Sequence, residues 1–349
     1  MKIFKFIFCI IIILFQTGNV LSNNNIFNVN NIVINKENSK NTTELVNEAF
    51  QKAFNDLIER LLLDDDIRRL SSINLSQIKK LISYYQIINT DQNNLKENEI
   101  KVNVFFDKDR MHNFFNIRNI LYSDAFNAEV ILFPLLVKKN NIFIYNNNYF
   151  YENWNKDVSD NLIQYSLPVE NIENIQKINI NKDDIYNLNI SDFFEEHKND
   201  NVVFANIIIN DNTAKIFLNT RIENKKIIKT ISISKNNNEL TEKQFYDKII
   251  LETNQTIKNL IKLQNLIDVK TPSFLNVEIK IDKKNTLVEF NNRVKNIYLI
   301  DSFFVQELQK DNILIKIKYL GKINKIISKL KKVNIDLKIN EGQWQLNII

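Results

Sequence analysis

Apolar side chains recur at helical spacing from Leu45 through Ala49, Phe50, Ala53, Phe54, Leu57, Ile58 and Leu61 to Leu62, which predicts one long amphipathic helix. Asn41 and Glu44 stand at the spacing of a reciprocal cap just before it. Ile78, Leu81, Ile82 and Tyr85 read as a second, shorter helix, and the run from Asp64 to Asp66 with Arg68 and Arg69 reads as a charged turn. The period then changes to two. Ile100, Val102, Val104 and Phe106 alternate with more polar positions as a strand, and Asp107 is placed to cap a helix carrying Met111, Phe114 and Phe115.

From Val130 to Val137 the chain is wholly apolar around Pro134, which predicts a strand buried on both faces, with Ile142 to Tyr145 as its partner. A helix is expected near Ile190 to Glu196. Strands follow at Val202 to Ile209, Lys215 to Leu218 and Ile227 to Ile233, then a helix from Glu242 to about Leu263. Asp268 to Pro272 reads as a linker. Beyond it the predicted order is strand, helix, strand, strand, helix, strand, a turn at Gly342 and a last strand, which is the split βαβ, ferredoxin-like order. The chain is therefore read as α+β: a leader at 1–22, a small N-terminal α+β domain at 23–122, a central α+β domain at 123–267 and a ferredoxin-like domain at 268–349.

The leader rests on Lys2 and Lys5, the apolar run Ile7 to Phe15, and the small residues Val20 and Ser22, a pattern that predicts a signal peptide cut after Ser22. The apolar run is shorter than the ~20 residues needed to span a bilayer. The one cysteine, Cys9, lies inside this leader, so the exported chain has no disulfide, thiolate nucleophile or sulfur metal ligand. Hydrophobic content of 44% is ample for packed cores. The abundance of Asn, Ile and Lys beside 3 Gly and 3 Pro has the look of an AT-rich genome, so a single Asn carries little information.

Missing residues exclude more chemistry than the present ones suggest. Beyond the leader only Gly321 and Gly342 remain, so no phosphate-cradling loop, dinucleotide fingerprint or nucleophile elbow can be written. His112 and His197 stand far apart without metal-ligand spacing, and no cofactor or metal is expected. Glu195, Glu196 and His197 are adjacent, and neighbours on a helix point about 100° apart, which suits a solvated helix end better than a catalytic group. Lys322, Lys325, Lys329 and Lys332 share one side of a helix whose other side is Ile323, Ile326, Ile327, Leu330 and Val333. Such a stripe could meet anionic lipid weakly, or simply be the wet side of a docked helix. Net charge +5 without clustered arginine gives no expectation of nucleic acid binding.

The densest chemistry lies in Asn147-Asn148-Tyr149-Phe150-Tyr151-Glu152-Asn153-Trp154. Phe150 and Trp154 are one helical turn apart, so both rings would fall on one side, either as a plug for the central core or as a stacking site for a sugar or peptide. Here the chain resembles the exported bacterial proteins grouped as domain of unknown function 2066. The resemblance runs through the leader, an Ala-containing helix, an apolar run with a central proline (Pro134) and an Asn-Pro-Trp-x-x-Ala-Trp signature. Asn148, Phe150 and Trp154 stand at its Asn and two Trp positions, while Tyr149 and Asn153 replace its Pro and Ala. It continues through Pro168 to Ile172, Tyr319-Leu320-Gly321 and Gly342 with Trp344. The resemblance implies a bacterial envelope protein and brings no established activity or catalytic residues. An AT-rich eukaryotic parasite would supply the same leader and composition without this match.

Together these readings predict a periplasmic binding or assembly factor without enzymatic activity, partnered by an envelope protein. The competing reading is an envelope hydrolase that works with paired carboxylates alone, as glycosidases do.

Overall fold

The computed structural model describes residues 26–35, 41–88, 99–156, 162–182, 185, 188, 190–197, 200–235, 240–281 and 285–349. The predicted leader and its cut after Ser22 lie outside them. The fold is mixed α+β.

Strand β1 (Asn28–Asn35) precedes α1 (Thr42–Leu61). The predicted cap is present: the Asn41 side chain accepts the Glu44 N–H at 3.0 Å, and the Glu44 carboxylate accepts the Asn41 N–H at 3.0 Å. Two amides that a helix start leaves open are thereby satisfied. The acidic run is not a turn but the opening of α2 (Asp64–Arg69), where Asp65 pairs with Arg68 and Asp66 with Arg69. Acids occupy the positive end of that helix and bases the negative end.

Next, α3 (Leu75–Leu81) opens with a capping box between Asn74 and Gln77 and runs straight into β2 (Ile82–Ile88). Ile82 and Tyr85, predicted as helical, are thus strand residues. The stretch is rich in β-branched and aromatic side chains and pairs with β3 (Glu99–Phe106), Tyr85 opposite Val104. Asp107 caps α4 (Lys108–Arg118) by accepting the Arg110 N–H at 2.9 Å. There follow β4 (Tyr122–Ser123), β5 (Ala128–Lys138), β6 (Asn141–Phe143), α5 (Tyr149–Asn153), β7 (Ile163–Ser166) and α6 (Ile172–Ile180). The helix predicted near Ile190 is two short 3-10 turns, Ile190–Phe193 and Glu195–His197. Strands β8 (Asn201–Asn210), β9 (Thr213–Ile222) and β10 (Lys225–Ser234) form the predicted meander, each longer than its apolar core suggested. Helix α7 (Glu242–Gln264) and β11 (Leu266–Ile267) lead to β12 (Ser273–Lys280), α8 (Thr286–Val294), β13 (Ile300–Leu308), β14 (Asn312–Tyr319), α9 (Ile323–Lys332), β15 (Ile335–Asn340) and β16 (Gln343–Ile348).

These elements divide into two compact units. One holds the described residues up to Leu57 together with Ser72–Leu121 and Ile267–Ile349, and the other holds Ile58–Ser71 and Tyr122–Leu266. In the first, β1, β3 and β2 make an antiparallel sheet in that order, and a second sheet runs β13-β14-β12-β16-β15. The second sheet departs from the ferredoxin-like arrangement expected for 268–349. Its β13-β14-β12 portion follows that plan, but the place beside β12 belongs to β16, which runs parallel to it with Val277 opposite Trp344. The strand leaving α9, β15, is displaced to the edge. A tight turn at Glu341 and Gly342, both at positive φ (50° and 82°), folds β16 back against β15, and this hairpin meets β12 through β16. Leu275, Val277, Ile279, Phe290 and Ile326 are all buried, as a single core on that sheet requires.

The other unit is built on a sheet ordered β10-β9-β8-β5-β6, with β7 pairing the opposite end of β5 from β6. Because side chains alternate along a strand, Val203, Ala205, Ile207 and Ile209 of β8 enter one core with α7, while Val202 and Phe204 enter another on the far face. The parallel pairing of β5 with β8 and β7 places β5 inside both cores, as its continuous apolar run predicts. Among the described residues no helix is long and apolar enough to cross a membrane.

Candidate functional site

The chain leaving β6 turns at Asn147, whose φ of 61° lies in the left-handed region that asparagine tolerates better than most residues. Asn148 follows with no exposed surface. The two hydrogens of its amide nitrogen are shared among three carbonyls, those of Pro134 (2.9 Å), Phe143 (3.0 Å) and Ile144 (2.9 Å). Its side-chain oxygen accepts the N–H groups of Phe150 (3.1 Å) and Tyr151 (3.4 Å), capping α5. One side chain therefore ties β5, the exit of β6 and the start of α5 together. A buried carbonyl left without a donor is expensive, so this amide is an internal strut rather than a group offered to a ligand.

The single turn of α5 sends Phe150 and Trp154 to the same side, and both are 0% exposed within the core beneath α7. Phe150 lies 5.4 Å from the Tyr246 ring, and Trp154 meets Tyr165 edge-on at 5.9 Å. Among the described residues the Trp154 indole Nε1 meets no hydrogen-bond partner, so within them this ring contributes through packing. Tyr149 and Tyr151 sit half-buried at the rim and use their hydroxyls inward, Tyr149 to Asp247 at 2.6 Å and Tyr151 to the Pro168 carbonyl at 2.8 Å. Glu152 points outward and accepts the Asn147 N–H at 3.1 Å. All four aromatics and Asn148 are thus committed to holding the unit together.

The remaining charged candidates lie apart. Lys322 and Lys332 are exposed on α9, whereas Lys325 and Lys329 are half-buried on its shoulder, with the Lys329 ammonium 5.0 Å from the Tyr298 ring centre. Ile326 and Leu330 face the interior, so the stripe is the flank of a docked amphipathic helix. His197 is partly exposed and its Nδ1 lies 2.9 Å from Asp200. His112 is buried against Phe27, ring centres 5.5 Å apart; burial and the nearby Lys108 push its pKa down to about 4. Among the described residues no three His, Cys, Asp or Glu side chains converge as metal ligands would.

Some polar arrangements had no signal in the sequence. Lys138, Glu242 and Tyr246 form a mutually bonded trio at the start of α7. The hydrogen bond from Lys138 holds the Glu242 carboxyl below its usual range, and the bond to Glu242 raises the lysine. The pair is therefore ionised, the opposite of the raised carboxyl that a general acid needs. Lys262 is buried and donates to the carbonyls of Glu59 (2.5 Å) and Leu62 (2.8 Å) at the end of α1, where a helix terminus favours a cation. Asp64 accepts from Gln255 (2.7 Å) and Asn259 (2.6 Å) of α7, so it is a structural bracket. A lone lysine or asparagine in a Lys- and Asn-rich chain does not announce such a role.

The chain matches no family model, no curated protein and no solved structure.

Proposed function

We propose that this protein is a binding or assembly factor of the bacterial envelope, exported by its leader and working without catalysis, in keeping with the resemblance to the exported family of domain of unknown function 2066. The observation that carries this reading is the contrast between its interior and its strands. The chemically richest stretch, Asn148 to Trp154, is consumed by internal packing, while among the described residues β10 is left along a sheet edge with most of its residues exposed. A long exposed edge offers unpaired backbone groups to another chain, and natural sheets usually cover or shorten such edges. Recognition by strand addition needs only this feature, with neither cofactor nor nucleophile.

The reading is tested by crosslinking the tagged full-length protein in its native envelope and identifying the adducts. A stoichiometric protein partner supports it. Turnover of an envelope polymer by the purified protein would replace it with the carboxylate hydrolase reading. N-terminal sequencing of the exported protein should begin at Asn23; an intact Met1 in the membrane fraction would make the leader an anchor instead.

A further inference from the structure

We infer that the open edge of β10 binds an extended acidic segment of a partner protein, adding it as a further strand; this deepens the binding reading above and rests on it. The register supplies the geometry. β10 leaves β9 through the two-residue turn Glu223-Asn224, both at positive φ (50° and 61°), with Ile222 opposite Lys225. Such a turn makes the flanking pair a hydrogen-bonded one, and hydrogen-bonded pairs then alternate along the ladder. Lys225, Ile227, Lys229, Ile231 and Ile233 therefore direct their backbone groups at β9. The Thr220 hydroxyl, which donates to the Ile227 carbonyl at 2.9 Å, agrees with that assignment. The N–H and C=O groups of Lys226, Ile228, Thr230 and Ser232 face the other way, along the open edge.

Side chains beside this edge define the partner. On one face Ile227 and Ile231 are half-buried against the core that lies under α7, so an incoming strand could set apolar residues next to them. On the other face Ile228 is 66% exposed, between Lys226 and Thr230. Across β9, the turn and β10 the charged residues are Lys215, Arg221, Lys225, Lys226 and Lys229 against the single acid Glu223. Arg221 is engaged by the His197 carbonyl at 2.5 Å and Lys215 lies over the Phe217 ring at 4.9 Å, which leaves the β10 lysines as the charges at the edge itself. A second copy of β10 would bring three more lysines and no acid to the same edge, whereas an acidic segment would offset the charge already there. A segment alternating acidic and apolar residues meets both faces.

The test uses the full-length protein and a fluorescent peptide of alternating Glu and Val, about eight residues long to match a strand, followed by anisotropy. Saturable binding is expected, with none for the matching Lys-Val peptide. The double substitution Lys226→Glu with Lys229→Glu should weaken it at least tenfold. Thr230→Pro removes an edge N–H without touching the β9 ladder, and should abolish binding while the variant melts as the parent does. If Thr230→Pro lowers the melting temperature, the charge-reversal pair decides. Binding that survives both variants overturns the proposal, as does a concentration-dependent dimer that Thr230→Pro dissociates, which would make the occupant a second copy. If the envelope partner crosslinks equally well to parent and variants, the binding reading stands and the β10 site falls. If no partner is captured at all, the broader reading fails on its own evidence.

Discussion

Residues 147–154 and the strand β10 belong to the same unit and put opposite kinds of sequence to opposite uses. The first packs four aromatics and three asparagines into eight residues, a composition that in isolation invites a ligand. All four aromatics and Asn148 turn inward or brace the backbone, and Phe150 and Trp154 end with no exposed surface. The second is a plain run of isoleucine, lysine, serine and threonine, yet among the described residues it stays exposed at the end of the sheet order. Chemical richness and availability are separate properties. An aromatic cluster next to a short strand has more free energy to gain from covering itself than from waiting for a ligand, whereas an edge strand has no internal partner to take.

The sharpest way to break this contrast is to hollow out the interior member. Trp154→Ala should cost roughly 3 to 5 kcal/mol in chemical denaturation, as removal of a large buried ring does. Asn148→Ala should cost about 3 kcal/mol by the same measurement, because the buried carbonyls of Pro134 and Ile144 and the part-buried one of Phe143 lose the amide they share.

Burial of His112 adds a pH dependence to the interior. His112 has a folded pKa near 4, below the unfolded value, because burial opposes its charge. The unfolded chain therefore binds the extra proton first. Its contribution to stability is complete above about pH 6.5 and is lost as pH falls toward about 4, a change of up to roughly 3 kcal/mol. His112→Gln should flatten that part of the stability profile. Trp154→Phe should cost only about 1 to 2 kcal/mol, since the indole N–H it removes has no partner among the described residues. At the small end, Ile228→Ser on the open strand should change stability by less than about 0.5 kcal/mol.

Much of this architecture was legible because periodicity is a local property. The stripe from Leu45 to Leu62, the Asn41 and Glu44 cap, the Asp107 cap and the doubly buried run around Pro134 each state their own environment. The failures came where a partner decided. Ile82 and Tyr85 fit a helical stripe as well as a strand, and pairing with β3 settled the matter. The ferredoxin-like order read correctly as far as α9, but only three-dimensional pairing reveals that β16 inserts beside β12 and pushes β15 outward. At the site, the one-turn spacing of Phe150 and Trp154 indicated a shared side. The bracing by Asn148 was invisible, because its three acceptors come from Pro134, Phe143 and Ile144 and one asparagine among many carries no mark.

Amide hydrogen exchange read residue by residue, with and without the Glu-Val peptide, tests the central contrast in one experiment. The account predicts slow exchange at Phe150 and Tyr151, whose N–H groups are held by the buried Asn148, and at Ile227, Lys229 and Ile231 in the ladder. Lys226, Ile228, Thr230 and Ser232 should exchange fast alone and slow down when the peptide is added. Fast exchange at Phe150 and Tyr151, or peptide protection that appears across Asn148 to Trp154 and leaves β10 unchanged, would contradict it.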